Sequence, residues 1–402
     1  MTLINGHYIA GVLALTAVLV LAVVMAGVSP VLGSTWLLAT AAGFTLQRSR
    51  FCFASAFRDL YLFGSGRTMK AILLGLAVAT VGFTIIMYDK IPNPSYGYLP
   101  DGAHFLPFGV STAVGGLLFG FGMVISGGCI SGSLYRMAEG YLGSWVTIIG
   151  VLVGLAFLSH TWNWWWNTII IHEPRAWLPN IGNIGYAGAV VLTLIGLFSI
   201  FLLVVWWESR EGLSLPNLPS NYTEDDTVTQ KLHNLWKMVF VNGWPAATGG
   251  VILGVIITFM YMDSMPLGVT GELSRLSGKV LMSIGLPHPH LLGMSDLGGC
   301  SAEESQGFFS HTFAMTGGVL AGSFVAALFA REFKFRRPPS ATRYIQSFAG
   351  GTIMGYGAGL AIGCTIGAFF DSIASLSLSG WLFGIAIAGG AFFGVQAIKR
   401  IP

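Results

Sequence analysis

The sequence predicts an all-α, polytopic membrane protein made of two inverted repeats with short re-entrant helices. Of its 402 residues, 54% are hydrophobic and 9% are charged, and its mean hydropathy is +0.71. Soluble domains carry roughly 25% charged residues. In addition, a glycine-rich motif that contains a cysteine occurs twice, at 114–132 and at 349–367. Duplicated, interrupted membrane helices are typical of transporters.

We expect about ten membrane spans, since ten segments are apolar and fully or nearly long enough to cross a bilayer, which takes about 20 helical residues. They lie at 8–28, 34–47, 68–88, 108–125, 142–159, 186–207, 241–262, 308–331, 343–362 and 381–397. Four short helical segments lie between some of the spans, at 51–63, 130–141, 268–284 and 365–378. Short helices that meet at glycine breaks are typical of re-entrant segments, whose open backbone must line a cavity or be buried in protein.

The spans divide the chain into four parts. An additional N-terminal helix (1–33) precedes the first repeat (34–208), a cytoplasmic linker (209–240) and the second repeat (241–402). Most lysines and arginines between spans, such as Arg67, Arg210 and Lys334, fall on one side of the membrane under this arrangement. The positive-inside rule then predicts that both termini are cytoplasmic, and the two repeats begin on opposite sides.

The repeated motif places a cysteine at a helix break in each repeat. Cys129 and Cys364 are 235 residues apart, and six pairs of glycines share this spacing. The pairs are Gly115 and Gly350, Gly116 and Gly351, Gly120 and Gly355, Gly122 and Gly357, Gly128 and Gly363, and Gly132 and Gly367. A single buried cysteine is usually only a small hydrophobic residue. Two at equivalent half-helix ends indicate function, because helix N-termini favour an anion.

A third thiol, Cys52, lies in the segment 47–59. Burial in an apolar setting favours the protonated thiol, which is a weak donor beside a soft, polarisable sulfur. An anion with a terminal sulfur could then pass between several weak sites, bound well enough to enter and loosely enough to leave. We expect this substrate path at Cys129, Cys364, Gly127, Gly128 and Gly363.

Charged residues near the thiols have two interpretations. Arg48, Arg50, Arg58 and Asp59 surround Cys52, and Arg136 and Glu139 follow Cys129. They form either an ordinary cytoplasmic positive cluster or an electrostatic funnel at the mouth of a path. The candidate mouth residues are Arg50, Arg58, Arg136 and Cys300, which is either a vestibule thiol or incidental.

The remaining polar residues favour no enzyme. Asp371, seven residues after Cys364, is expected to be solvated at a mouth, with a proton relay as the alternative. His288 and His290 lie in a Pro-His-Pro-His loop without the further ligands that a metal needs. No Walker A motif, Rossmann fingerprint or nucleophile elbow occurs. We expect no cofactor and no nucleic-acid partner.

The motifs Gln47-Arg-Ser-Arg-Phe-Cys-Phe53, Gly127-Gly-Cys-Ile-Ser-Gly132 and Gly363-Cys-Thr-Ile-Gly367 resemble the YeeE/YedE family of sulfur-transport membrane proteins. The likeness covers roughly residue 34 to the end. It implies thiosulfate uptake across the bacterial inner membrane along three cysteines in succession, which match Cys129, Cys52 and Cys364. It also implies a small cytoplasmic sulfur-carrier partner of the TusA type. The chain departs from the family pattern in its first helix, its longer linker and Cys300.

Three alternatives to thiosulfate uptake stay open. The YedE branch has been linked to selenium, which makes a selenium species an alternative substrate. A membrane sulfurtransferase would use a cysteine to hold sulfur as a persulfide, but no histidine is close in sequence to Cys52, Cys129 or Cys364. A channel for water-like or hydrophobic solutes would have no use for the thiols.

Overall fold

The computed structural model describes residues 2–96, 98–211, 237–263, 265–286, 290–297 and 309–400. Its regular structure consists of helices, and no strand occurs in these ranges. The first half contains α1 (Thr2–Val28), α2 (Pro30–Ser49), α3 (Phe53–Phe63), α4 (Arg67–Lys90), α5 (Val110–Ser126), α6 (Ile130–Ala138), α7 (Leu142–Thr168) and α8 (Gly185–Glu211). The second half contains α9 (Ala246–Asp263), α10 (Thr270–Ser283), α11 (Met294–Leu297), α12 (His311–Phe329), α13 (Ala341–Leu360), α14 (Thr365–Ala374), which is π-helical as far as Asp371, and α15 (Leu378–Arg400).

The all-α membrane fold is confirmed. Within the described ranges, eight helices are long and apolar enough to cross a bilayer, and a ninth span results if α13 and α14 count as one broken helix. The segment 34–47, which we counted as a span, lies in α2. This helix has 20 residues but ends in the polar sequence Gln47-Arg-Ser49, and it is not among the eight. The linker 212–236 lies outside the described residues.

The broken helices end where the glycine breaks predicted. Gly127 closes α5 with a left-handed backbone (φ 83°), which only glycine adopts without strain, and α6 starts three residues later. In the second repeat, α13 ends at Leu360, and α14 follows after four residues with a bend of 44°. Here the left-handed position is occupied by Ile362 (φ 57°). Whether these breaks make re-entrant loops stays a prediction.

The two broken helices pack directly against each other, because glycines let their backbones approach. A Cβ placed on Gly115 would lie 2.9 Å from the carbonyl oxygen of Gly357, and one placed on Gly122 would lie 2.6 Å from that of Gly350. The 235-residue repeat maps Gly115 onto Gly350 and Gly122 onto Gly357, so it converts one of these contacts into the other. Such exchanged contacts are typical of a two-fold relationship. The helices α5 and α13 therefore run in opposite directions where they cross, and the inversion of the whole repeats stays a prediction.

The tryptophan-rich tract 161–167 forms the last turns of α7. Trp164 is exposed, whereas Trp162 is fully buried and donates a hydrogen bond to the carbonyl of Leu292 at 2.9 Å. Trp165 donates to the hydroxyl of Tyr356 at 2.9 Å. Part of the tract therefore fixes α7 against the second half of the chain.

Candidate functional site

The first repeat brings two of the predicted thiols together. The Cys52 and Cys129 sulfurs are 4.0 Å apart, and both side chains are fully buried in protein rather than facing lipid. Cys52 directly precedes α3 and Cys129 directly precedes α6, so two helix N-termini converge on one point. The aligned N–H groups at these ends provide partial positive charge, which favours an anion.

The residues after Cys129 hold its sulfur in place. The N–H of Gly132 donates to the Cys129 sulfur at 3.3 Å, and the Ser131 hydroxyl lies 3.4 Å from it. Gly132 also leaves room for the pair, since a Cβ there would lie 2.7 Å from the Cys52 sulfur and 3.1 Å from the Cys129 sulfur. The glycine at this repeated position is therefore required by the thiol pair.

Arg136 adds a full positive charge to this point. Its Nη1 donates to the carbonyl of Gly127 at 2.6 Å, which ties α6 back to the break at the end of α5. The guanidinium also interacts electrostatically with Cys52 and Cys129. A Cβ at Gly128 would be in ordinary contact with Nη1 at 3.5 Å and would lie 3.2 Å from the Ser133 hydroxyl oxygen. Arg136 thus belongs to the thiol site rather than to an exposed mouth.

The second repeat has a different set of groups around its cysteine. Cys364 directly precedes α14 and is fully buried. The Thr270 hydroxyl, at the start of α10, lies near the Cys364 thiol. The hydroxyls of Thr270 and Thr365 are both buried without a hydrogen-bond partner among the described residues. One thiol and two hydroxyls therefore stand where the first repeat has two thiols and Ser131.

Aromatic rings connect the two half-sites. Phe53, next to Cys52, packs edge-on against Phe369 and Phe370 of α14, with ring centroids 6.3 Å and 6.2 Å apart. Phe51 packs against Phe53 at 5.5 Å. These rings place α3 directly beside the π-helical segment that follows Cys364.

Asp371 is not solvated, so that expectation was wrong. Its side chain is completely buried, and neither carboxyl oxygen has a hydrogen-bond partner in the described part of the chain. His104, from the loop before α5, places Nδ1 3.8 Å from Asp371 Oδ2. The loop folds onto α14 because the His104 N–H donates to the Ser375 hydroxyl at 3.1 Å and Nδ1 lies 3.1 Å from the carbonyl of Gly367.

The other candidate mouth residues are paired. Arg50 is largely exposed and bonds Glu332 at 2.9 Å, and Arg58 bonds its neighbour Asp59 at 2.8 Å. Gln47 donates to Glu332 at 2.6 Å and to Glu139 at 3.0 Å. Burial raises the pKa of Glu139 above its usual value, and the hydrogen bond from Gln47 opposes this shift.

The cysteine sites are closed in this structure. Two cavities of about 600 Å³ and 350 Å³ are lined almost entirely by apolar side chains, and neither reaches a cysteine. The larger lies between α4, α8 and the start of α9, and the smaller lies between α3, α4, α8 and α15. Cys300, His288 and the acidic pair Glu303 and Glu304 lie outside the described residues.

Sequence reasoning missed two residues of the site. Thr270 carries no motif of its own, and only its position at the start of the short helix that corresponds to α3 could have indicated it. His104 is 260 residues from Cys364 in sequence, and only the fold brings its loop to α14. No group of three His, Cys, Asp or Glu side chains that could hold a metal ion occurs in the described ranges.

Comparison with known proteins identifies the family of this chain. A family model described as sulphur transport matches residues 48–393. The thiosulfate transporter TsuA of Escherichia coli K12 is 27% identical over 341 residues, which are 85% of this chain and 87% of that protein. The thiosulfate transporter TsuA of Spirochaeta thermophila is 29% identical over 347 residues, which cover 85% and 92%. A probable transporter, YedE of Salmonella typhimurium, is 32% identical over 182 residues, or 45% of this chain and 42% of that protein.

Proposed function

Because this chain belongs to the sulphur-transport family, we propose that it takes up thiosulfate through a path lined by Cys52, Cys129 and Cys364. The relatives that match most of its length are named thiosulfate transporters, which supports transport of a sulfur anion and no enzymatic reaction. The single observation that carries the cysteine path is the buried pair of Cys52 and Cys129, with their sulfurs 4.0 Å apart.

The chemistry of the pair suits a soft sulfur anion. Thiosulfate has a polarisable terminal sulfur, which two thiols can contact, and oxyanion oxygens, which accept from helix N–H groups. Arg136 supplies charge from the side, where it is already engaged with the carbonyl of Gly127. A partly engaged arginine attracts an anion without forming the bidentate bond that would hold it too tightly. The anion then moves between this pair and Cys364, past the Phe53 ring.

Transport requires motion, because the thiols are sealed from solvent in this structure. The glycine breaks beside Cys129 and Cys364 allow small backbone changes next to each thiol. On the first-repeat side, the Cys52 and Cys129 thiols need to move only far enough for a sulfur atom to pass beside Gly132. We propose that both half-sites open in turn around the crossing of α5 and α13.

The test is radiolabelled thiosulfate uptake into vesicles that contain the full chain, with sulfate, sulfite and selenite as competitors. Alanine at Cys129 or Cys364 should reduce uptake at least tenfold, which corresponds to about 1.4 kcal/mol. Serine at the same positions keeps a hydrogen-bond donor but loses the soft sulfur. Serine variants that behave like alanine would establish that sulfur itself is needed. Uptake that survives the double alanine variant would refute the path.

Two measurements separate the alternative functions. Selenite or another selenium species that competes as well as unlabelled thiosulfate would favour a selenium transporter. A stable mass increase of one sulfur atom on a cysteine, after exposure to thiosulfate, would favour a persulfide-forming sulfurtransferase. The proposed transporter predicts neither a persistent adduct nor dependence on a reductant.

We also propose that the protein resides in the bacterial inner membrane with both termini in the cytoplasm. The concentration of Arg58, Arg331, Arg336 and similar residues on one face supports this orientation. A small TusA-type carrier protein would then receive sulfur on that face. Labelling of single introduced cysteines by an impermeant maleimide tests the orientation, and cross-linking of the purified carrier to the same face tests the partner.

A further inference from the structure

We propose that Asp371 and His104 form a proton-binding site that couples proton entry to movement of the anion past Cys364. This inference rests on the proposed anion path and adds an energy source to it. Asp371 is completely buried, and neither of its carboxyl oxygens has a hydrogen-bond partner in the described ranges. An ionisable residue of this kind within a membrane protein marks an ion pathway more often than a structural contact.

Comparison of the repeats shows why a carboxyl at this position matters. Arg136 follows Cys129 by seven residues, and Asp371 follows Cys364 by seven residues, so they occupy equivalent positions. The first repeat therefore has a permanent positive charge beside its thiols, whereas the second has a group that is either negative or neutral. Asp371 also acts electrostatically on Cys364.

The two protonation states of Asp371 have opposite effects on an anion. An ionised carboxylate repels an anion at Cys364, and this repulsion is strong where water is excluded. A protonated carboxyl carries no charge and offers one O–H donor, which an oxyanion oxygen can accept. Occupation of the Cys364 half-site by the anion therefore requires a proton on Asp371.

No permanent cation in the described part of the chain lies close enough to Asp371 to neutralise an ionised carboxylate in place of a proton. Titratable and charged groups on the elements packed around Asp371 are Asp101 and His104 on the loop before α5, Arg58, Asp59 and Tyr61 on α3, Arg67, Lys70, Tyr88, Asp89 and Lys90 on α4, Tyr135 and Arg136 on α6, Cys364 beside α14, and Lys399 and Arg400 on α15. His104 alone among them lies within ion-pair distance of Asp371. Lys70 is paired with Glu208 at 2.7 Å, and Lys90 donates to the carbonyl of Asp101 at 2.9 Å.

His104 provides a route for the proton. Because the carbonyl of Gly367 can only accept, Nδ1 of His104 carries the hydrogen in their 3.1 Å contact. Burial lowers the pKa of His104, so its imidazole is neutral at neutral pH. A proton that arrives on Nε2 releases the Nδ1 proton to Asp371 Oδ2, 3.8 Å away, after a small rotation. His104 ends neutral, Asp371 gains one proton, and Asp371 releases it once the anion has moved on.

The experiment uses the full chain in liposomes with an entrapped pH-sensitive dye. Addition of external thiosulfate to the wild-type protein should acidify the interior, and an acidic exterior should raise thiosulfate accumulation at least several-fold. Asp371→Asn keeps the shape and remains neutral. It should therefore lose both proton entry and the response of labelled thiosulfate uptake to the pH gradient, even where its downhill uptake is reduced. Asp89→Asn, at an exposed end of α4, is the matched control and should behave as wild type.

The outcomes separate this inference from the function on which it rests. Wild-type liposomes that take up thiosulfate without acidification would overturn the coupling and leave the transport function intact. Liposomes without any uptake, downhill included, would overturn both. An Asp371→Asn variant that still accumulates thiosulfate with the pH gradient would place the proton elsewhere. If that variant fails to fold, His104→Gln decides the matter, since a slowed proton entry with preserved downhill uptake is expected from it and wild-type rates would refute the relay.

Discussion

Gly132→Ala is the substitution that tests the thiol pair most directly. The new Cβ would lie 2.7 Å from the Cys52 sulfur and 3.1 Å from the Cys129 sulfur, whereas ordinary contacts begin at 3.4 Å. The methyl group is therefore about 0.7 Å too close to Cys52, by the difference of these two distances. It also fills the space that a passing sulfur atom would need.

The expected effect is on transport and not on stability. Alanine improves helix propensity by about 1 kcal/mol relative to glycine. Rotation of the two thiols away from their preferred positions costs about 0.5–1.5 kcal/mol each. The free energy of unfolding should therefore change by no more than about 2 kcal/mol, and the melting temperature in detergent should fall by only a few degrees.

Thiosulfate uptake by Gly132→Ala should fall at least tenfold, measured in vesicles with matched protein content. The control is Gly389→Ala on α15, where the nearest atom is a flexible Leu117 methyl group at 3.3 Å. It should keep both uptake and melting temperature. Wild-type uptake by a stably folded Gly132→Ala protein would refute the reasoning. It would mean that the route of the anion does not run between these thiols.

Three further predictions follow from the packing, the second half-site and the buried histidine. Gly122→Ala places a Cβ 2.6 Å from the backbone oxygen of Gly350; overpacking of about 1–3 kcal/mol should lower the melting temperature, whereas Gly27→Ala, with nothing within 4 Å, should not. Thr270→Val removes a buried donor beside Cys364 and should raise the KM for thiosulfate about tenfold, while Thr80→Val, whose hydroxyl bonds only the carbonyl of Leu76, should not. Burial lowers the pKa of His104 below its ordinary value of 6.5, so the unfolded chain binds a proton at this residue more tightly than the folded chain does. The stability that His104 contributes is therefore complete above pH 6.5 and is lost as the pH falls. Melting curves from pH 7.5 to about 5.5 should show a smaller decrease for His104→Gln than for the wild type, and equal decreases would contradict the assignment.

Glu139 changes the stability with pH in the opposite direction to His104, and the comparison of wild type with His104→Gln removes its effect. Burial raises the pKa of Glu139, so the folded protein binds this proton more tightly than the unfolded chain does. Its contribution to stability therefore declines as the pH rises above the ordinary value of 4.5, which is the reverse of the His104 effect. Both the wild type and His104→Gln contain Glu139, so the contribution of Glu139 cancels in the difference between their curves.

The duplicated motif predicted the core of the structure well, because its glycines have a local and a long-range role that both leave marks in sequence. Gly127 ends α5 in a left-handed conformation, and Gly115 and Gly122 admit the backbone of α13. The pairing of Cys129 with Cys52 was implied only by the family resemblance, since 77 residues separate them in sequence. Periodicity carries no information on which loop covers which helix.

Polar residues near the ends of helices were the least predictable part. Asp371 was expected in solvent because it lies on a short helix at a mouth, yet the loop that carries His104 covers it. Within the described ranges eight or nine helices are candidate spans, against about ten expected, and α2 is long enough to cross but ends in buried Gln47 and Arg48. Hydropathy cannot distinguish a polar helix end in solvent from one that is buried against other helices.

The two half-sites explain why duplication alone does not make a transporter of this kind. Equivalent glycines preserve the crossing of α5 and α13, while the groups around each cysteine have diverged. Beside Cys129 the chain places Cys52 and the permanent charge of Arg136, and beside Cys364 it places Thr270 and Asp371. Two identical half-sites would hold an anion equally well and give it no reason to move on. One half-site with a fixed cation and one whose affinity depends on a proton together give the anion both a place to bind and a condition for release.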